Sequence, residues 1–104
     1  MDEYRVELAI TAKQDLREIH SYVENNLKEP VIADKLLDKI ESKIASLSNM
    51  PQKCAVLREE QLRHRNIRKL IVGNYLVFYV INEKAKTVYV ARVLYGRRDW
   101  INLL

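Results

Sequence analysis

The sequence predicts an α+β fold, ordered β-α-α-β-β-β, in which a curved, mostly antiparallel sheet packs on an antiparallel helical hairpin and a short helix ends the chain. One observation behind it is the helical spacing of apolar residues in the first half. Another is the presence of three segments rich in Val, Ile and Tyr in the second half. With only two glycines and two prolines among 104 residues, and no repeat or linker, residues 1–104 are predicted to form one domain.

The first two predicted elements are a strand and a helix. Apolar and more polar residues alternate over residues 4–10, as in a half-exposed strand with Ile10 on its buried face. Residues 11–14 (TAKQ) then fit a capping box, in which the Thr11 hydroxyl accepts a hydrogen bond from the backbone three residues on. Apolar residues continue at helical spacing, so we predict the first helix over about residues 11–27.

A second helix is predicted between the two prolines. Pro30 suits the first turn of a helix, and Pro51 marks its end. Because only a short break separates the two helices, they should form an antiparallel hairpin. Six apolar residues form the predicted buried stripe of the second helix: Ala33, Leu36, Leu37, Ile40, Ile44 and Leu47.

Three strands and a short helix complete the prediction. The strands cover residues 67–72, 75–81 and 87–95, joined by turns at residues 73–74 and 82–86. The middle strand is apolar on both faces and should therefore be central in the sheet. We expect Asp99 to cap the final short helix. Three apolar residues of that helix should close one end of the core: Trp100, Leu103 and Leu104.

Composition narrows the classes of protein that the chain could be. Cys54 is the only cysteine, which excludes an internal disulfide, and no Cys/His group has zinc-site spacing. We therefore expect no metal and no cofactor. No apolar run approaches the ~20 residues of a membrane span. The acidic N-terminus does not resemble a signal peptide. The expected location is the cytoplasm, with no membrane partner.

Charge is divided unequally along the chain. Residues 1–52 carry 7 Lys/Arg against 10 Asp/Glu, a net of −3, whereas residues 53–104 carry 11 against 4, a net of +7. The whole-chain charge of +4 therefore hides a strongly basic second half. Such a half favours contact with nucleic acid or with an acidic protein segment.

These elements and several motifs together resemble the RelE/ParE superfamily of toxins from type II toxin–antitoxin modules. The resemblance covers nearly the whole chain, about residues 4–100, and is closer to ParE-like than to RelE-like members. It implies a toxin that arrests growth and stabilises plasmids, silenced by a cognate antitoxin, as a homodimer or a toxin–antitoxin hetero-oligomer. The motifs are Asp15-Leu16, Ile19-x-x-Tyr22, the helix ending at Pro51, Arg68, Tyr75-x-x-Phe78-Tyr79-Val80 and Val88-x-Val90-x-Arg92-Val93-Leu94-x-x-Arg97-Arg98-Asp99.

The superfamily implies two activities, between which the fold does not choose. RelE-like members are mRNA interferases, endoribonucleases that cut messenger RNA on the ribosome. ParE-like members instead poison DNA gyrase, without chemistry of their own. A third interpretation, from the charge alone, is a non-toxic nucleic-acid-binding module, which would form a salt-dependent complex with free DNA or RNA.

Residues at the RelE-like catalytic positions favour the gyrase interpretation. A ribonuclease would need Lys/Arg clamps and a general acid or base, for which the candidates are Lys69, Arg97 and His64. The RelE-like pattern, however, has arginine directly after the tyrosine of the third strand, where this chain has Leu76. No residue near Leu103 matches the C-terminal catalytic tyrosine of RelE-like members. The sequence therefore favours a gyrase poison that is not an enzyme.

A basic surface is the predicted site of contact with target or phosphate. The alternative is an ordinary solvent-exposed basic face without a binding role, on which His64 is an exposed loop histidine. We expect acidic antitoxin side chains to meet the basic residues of segment 63–69. We also expect the C-terminal basic segment to serve toxicity more than folding. The predicted site residues are Arg63, Arg65, Arg68, Lys69, Arg92, Tyr95, Arg97 and Arg98.

Overall fold

The computed structural model describes residues 3–104. The first two residues, on which the expectation about a signal peptide partly rests, lie outside that range. Within it the chain forms β1 (Arg5–Leu8), α1 (Ile10–Ser21), α2 (Pro30–Ala45), β2 (Arg68–Val72), β3 (Tyr75–Asn82) and β4 (Thr87–Tyr95). A π-helical turn, Tyr22–Asn26, follows α1, and a 3-10 turn, Trp100–Leu103, follows β4. The predicted order β-α-α-β-β-β is confirmed.

The four strands form one mixed sheet in the order β1-β4-β3-β2. Strand β1 is parallel to β4, and the other two pairings are antiparallel, so the predicted mostly antiparallel α+β fold is confirmed. Strand β3 lies inside the sheet, as its apolar composition predicts. Gly73 has φ +58°, the left-handed value that the two-residue hairpin turn between β2 and β3 needs at its first position.

The start of α1 differs from the prediction. The helix begins at Ile10, whose side chain is 73% exposed rather than on the buried face of β1. The capping box is wrong, because no side chain caps this helix. The Thr11 hydroxyl donates instead to the carbonyl oxygen of Ala91 on β4, at 2.8 Å. The local pattern predicts that the Thr11 hydroxyl bonds to a backbone N–H of its own helix. Its actual partner is a carbonyl of a neighbouring strand.

The end of α1 also differs, because the helix widens into the π-helical turn. The Leu27 N–H donates to the Tyr22 carbonyl at 3.2 Å, and the Glu29 N–H donates to the Val23 carbonyl at 3.1 Å. Lys28 then adopts a left-handed conformation, with φ +54°. Helix α2 begins at Pro30, as predicted. The wider turn changes which side chains face the sheet.

Each face of the sheet carries its own apolar cluster. The first cluster joins the helical hairpin to the sheet, and both helices and all four strands contribute to it. The second cluster lies on the opposite face, where Leu76 and Phe78 of β3 meet Leu57, Leu62 and Leu94. The alternation of β3 side chains divides them between the two clusters, which explains why this strand is apolar on both faces.

The end of the chain packs against the second cluster. Trp100 lies against Phe78, with ring centroids 5.1 Å apart, and Leu103 and Leu104 pack beside it. The prediction that these residues close one end of the core is confirmed. The segment is a 3-10 turn, however, and the Asp99 side chain does not cap it. None of the helices in residues 3–104 is long and apolar enough to cross a membrane.

Candidate partner-binding site

A buried ion pair joins α1 to β4. Asp15, only 5% exposed, accepts two hydrogen bonds from the Arg92 guanidinium, at 2.8 Å from Nε and 2.9 Å from Nη2. It also accepts one from the Val93 backbone N–H, at 2.9 Å. Hydrogen bonding to Asp15 is the main reason why the pKa of Arg92 is raised above its usual value. The pair sets the position of α1 against the sheet.

This pair lies where β4 loses its strand neighbour. Strand β1 ends at Leu8, opposite Val90, so the β4 edge beyond that point faces α1 instead of another strand. An irregularity in the β3–β4 pairing falls at the same place. Thr11 and Asp15, one helical turn apart, form hydrogen bonds with the backbone groups that Ala91 and Val93 direct to this edge. The helix therefore replaces a strand at this edge.

Arg92 belongs to this structural arrangement. Its side chain is 22% exposed and donates a further hydrogen bond to the Leu103 carbonyl, at 3.1 Å. The guanidinium thus ties α1, β4 and the C-terminal segment together. Of the predicted site residues, Arg92 is the one whose side chain is most engaged within the fold.

Arg97 and Arg98 have the opposite character. Both are exposed, and neither side chain forms a hydrogen bond or an ion pair in the part of the chain that the structure describes. Their backbone is nonetheless held: the Gly96 N–H donates to the Asn74 carbonyl at 2.8 Å, and the Arg98 N–H to the Tyr95 carbonyl at 3.0 Å. A Cβ at Gly96 would come within 3.2 Å of the Asn74 oxygen, so glycine permits this close approach. The result is a fixed turn that presents two cations without a side-chain partner among residues 3–104.

The basic residues of segment 63–69 are mostly engaged. Arg63 lies 3.7 Å from Glu60, and Arg65 donates to the Leu104 carbonyl at 2.7 Å. Arg68 donates to the carbonyls of Gln52, at 3.2 Å, and Cys54. The Lys69 ammonium lies 5.5 Å from the Trp100 ring centroid. These contacts pin the long loop before β2 and leave fewer free charges there than the sequence suggests.

The three candidate ribonuclease residues lie on separate segments. Lys69 is on β2, His64 is exposed on a 3-10 turn, and Arg97 follows β4. In residues 3–104 no hydrogen bond or ion pair joins any two of them. Nor does any group of His, Cys, Asp and Glu side chains in that range have the arrangement needed to hold a metal ion.

An apolar cavity of about 660 Å³ opens beside Arg98, between the π-helical turn and the ends of β3 and β4. We call it the tyrosine pocket. Tyr75 and Tyr95 meet edge to face at its wall, with ring centroids 5.6 Å apart, and burial raises the pKa of Tyr75. The residues that line the pocket are Asp15, Glu18, Ile19, Tyr22, Val23, Leu27, Tyr75, Tyr95 and Arg98.

Sequence reasoning names Tyr95 and Arg98 as site residues but does not find the pocket. Tyr22 and Leu27 reach it because the π-helical turn brings residues five apart to the same side of the chain. A regular helix through residue 27, as predicted, would distribute them differently. The tyrosines themselves are the only signal in the sequence, and tyrosine is also a common residue of strands.

Comparison with known proteins places the fold in a class. A family model described as the ParE toxin of type II toxin–antitoxin systems, parDE, matches residues 6–100. The fold and this match together define a toxin of a toxin–antitoxin system. Because the match covers most of the chain, the chain belongs to the ParE toxin family. No curated protein sequence matches it.

Solved structures of toxin–antitoxin systems share the fold. A chain of the chromosomal ParDE system from P. aeruginosa aligns with TM-score 0.74 and 16% identity over 91% of this chain and 98% of that one. The toxin–antitoxin complex RelBE2 from Mycobacterium tuberculosis gives 0.65 and 26%, covering 91% and 93%. A mutant of the E. coli toxin RelE in the free state gives 0.67 and 13%, covering 97% and 92%.

Proposed function

We propose that this toxin arrests growth in the cytoplasm by binding DNA gyrase, and that a cognate antitoxin silences it. The observation that carries the proposal is the filling of the sheet face that bears Lys69. On this face, apolar side chains of β3 pack against the C-terminal segment, and the Trp100 ring of that segment lies next to the Lys69 ammonium. An mRNA interferase needs charged groups preorganised around the reacting phosphate, whereas this face presents apolar packing beside Lys69. Action through a binding surface fits this packing better than cleavage does.

Leu76 supports the same conclusion. It occupies the position at which the RelE-like pattern has arginine, and it is 9% exposed. Its side chain lies directly beneath Gly96. A Cβ added to that glycine would be 3.7 Å from the Leu76 Cγ, which is ordinary van der Waals contact. The position belongs to the second apolar cluster, so a cationic clamp on RNA has no place there.

The turn with Arg97 and Arg98 is the proposed contact with the target. Its cations are unpaired in the described residues, and its backbone is held in place, so binding an acidic surface would order few groups. The similar ParDE structure supports a ParE-like activity, and the ParDE and RelBE systems among the similar structures support an antitoxin partner. Gyrase as target is the activity that the ParE resemblance implies.

Two parallel assays on purified toxin test the target. We expect the toxin to trap gyrase on plasmid DNA as double-strand breaks, and to leave transcripts intact on programmed ribosomes. Cut transcript with intact plasmid would replace the proposal with RelE-like messenger RNA cleavage. Leu76→Ala, which changes the apolar cluster but not the exposed charges, is a control for loss of fold, checked by its melting temperature.

Growth assays test toxicity itself. Expression of the chain alone should arrest a susceptible bacterium, and co-expression of the product of the adjacent small gene should restore growth. Normal growth at confirmed levels of folded protein would contradict the proposal.

A further inference from the structure

Beside the fixed turn, several apolar side chains around one pocket are open to solvent. Tyr22 is 54% exposed and Leu27 is 53% exposed, and both line the tyrosine pocket. Exposed apolar side chains that gather around a pocket are a common feature of interaction sites. At about 660 Å³ the cavity has the size of a site for one or two large side chains.

Charge around the pocket selects the kind of occupant. The Asp15 carboxylate at its base is already neutralised by the Arg92 guanidinium, at 2.8 Å. Arg98 at the rim has no side-chain partner in the described residues, and Arg97 is next to it. Glu18 supplies the one exposed negative charge of the lining. Because the two arginines outnumber Glu18, the mouth of the pocket is apolar with a net positive edge, and it complements an apolar side chain followed by a carboxylate.

We propose that the tyrosine pocket is the docking site of the cognate antitoxin. The antitoxin inserts a large apolar side chain against Tyr22, Leu27 and Tyr95, and it places a neighbouring carboxylate on Arg98. This inference rests on the antitoxin partner proposed above but not on gyrase. It also moves the expected contact away from segment 63–69, where Arg65, Arg68 and Lys69 are engaged within the fold.

The backbone around the pocket favours binding without large rearrangement. The π-helical turn lies between two helices, and the Leu27 N–H that follows it is bonded to the Tyr22 carbonyl. The Tyr95–Arg98 turn is likewise closed by backbone hydrogen bonds. Tyr75 and Tyr95 hold each other edge to face. A preformed wall of this kind reduces the entropy lost on binding. π-Helical turns also occur frequently at functional sites.

Titration of the toxin with the antitoxin encoded beside its gene tests the proposal. We expect Leu27→Asp to weaken the complex by about thirtyfold or more, as loss of a central apolar contact does. Arg98→Glu should weaken it by about tenfold and reduce its salt dependence. Met50→Asp and Arg58→Glu are matched controls, because Met50 is 70% exposed and Arg58 is exposed, and neither lines the pocket. Both controls should stay within about twofold of the wild type.

Other outcomes name other occupants. Unchanged antitoxin affinity in both pocket variants, with native melting temperatures, would overturn the proposal. If antitoxin affinity were unchanged and Leu27→Asp, which leaves both arginines in place, lost gyrase trapping, the pocket would belong to the target. If the free toxin sedimented as a dimer and Leu27→Asp made it a monomer without changing antitoxin affinity, the occupant would be a second copy of the chain. Failure of the wild-type toxin to trap gyrase, with weakened antitoxin binding in the variants, would refute the target alone.

Discussion

Asp15 shows how one residue can be both buried and charged in this fold. Its carboxylate accepts three hydrogen bonds, two from Arg92 and one from the Val93 backbone. A buried carboxylate is tolerated when its acceptor sites are used in this way. The same contacts hold α1 on the open edge of β4 and, through Arg92, hold the C-terminal segment. Removal of the charge should therefore affect more than one element.

Replacement of this carboxylate is the first prediction. Asp15→Asn should lower the free energy of unfolding by about 3 kcal/mol, because it leaves the Arg92 guanidinium poorly paired in a mostly buried place. Urea denaturation followed by circular dichroism measures the loss. Asp38→Asn, which removes an exposed carboxylate from α2, is the control and should change stability by no more than about 0.5 kcal/mol. Equal effects of the two substitutions would show that the pair contributes little.

The C-terminal arginines should divide into structural and functional residues. Arg97→Ala with Arg98→Ala should fold with a melting temperature close to that of the wild type, because both side chains are exposed and lack partners in the described chain. The double variant should nevertheless poison growth poorly. Arg92→Ala should lose stability and toxicity together, because its guanidinium is engaged with Asp15. Melts run beside growth assays separate the cases, and a melting temperature that fell with toxicity in the double variant would make these arginines structural.

The sequence alone could not have separated these arginines. Arg92, Arg97 and Arg98 lie within seven residues and share one composition signal, the excess of positive charge in the second half. What distinguishes them is Asp15, 77 residues before Arg92 in the chain, which reaches only one of them. Local patterns carry no information about such a long-range pairing.

Among the elements, regular strands could be predicted well and helix ends poorly. The bounds of β4, at residues 87–95, agree with the prediction because alternation and a turn define them locally. The ends of α1 depend on tertiary partners instead. Thr11 bonds to Ala91 of another strand, and the chain after Ser21 widens into a π-helical turn. The tyrosine pocket depends on that turn, so local sequence patterns do not reveal it.

The two helices of the hairpin are also joined by a titratable pair. His20 Nε2 lies 2.7 Å from the Asp34 carboxylate, and this contact is the main reason why the pKa of His20 is raised above its usual 6.5. A raised folded-state pKa means that the protonated pair stabilises the fold. This contribution is complete below the unfolded pKa of His20 and is lost as pH rises through the higher, folded pKa.

This linkage predicts a pH-dependent stability. Between about pH 6 and pH 8 the melting temperature of the wild type should fall as His20 loses its proton. His20→Gln should remove that part of the slope, and His64→Gln, which changes an exposed histidine of the 63–65 turn, should retain it. Scanning calorimetry across this range measures the three slopes. Identical slopes in the wild type and His20→Gln would contradict the role of the pair.

At the scale of the whole molecule, the sheet is buried on both faces by unlike parts of the chain. A helical hairpin covers one face, while a loop and the C-terminal 3-10 turn cover the other. The sequence predicted the hairpin from its helical period, and it predicted that Trp100 and its neighbours close the core. It did not predict that Leu57 and Leu62 join them, since irregular segments have no period from which burial can be inferred.

The second apolar cluster leads to the last prediction. Trp100 is half-buried against Phe78 and lies beneath the Lys69 ammonium, so Trp100→Ala should lower the free energy of unfolding by about 2 kcal/mol, less than for a fully buried ring. Asn102→Ala, an exposed neighbour in the same turn, should cost no more than about 0.5 kcal/mol. The turn with Arg97 and Arg98 is also held by the hydrogen bond from the Gly96 N–H to the Asn74 carbonyl. Trp100→Ala should therefore still trap gyrase at temperatures where it remains folded. Loss of trapping by a fully folded Trp100→Ala protein would instead show that the packing of this face is part of the target site.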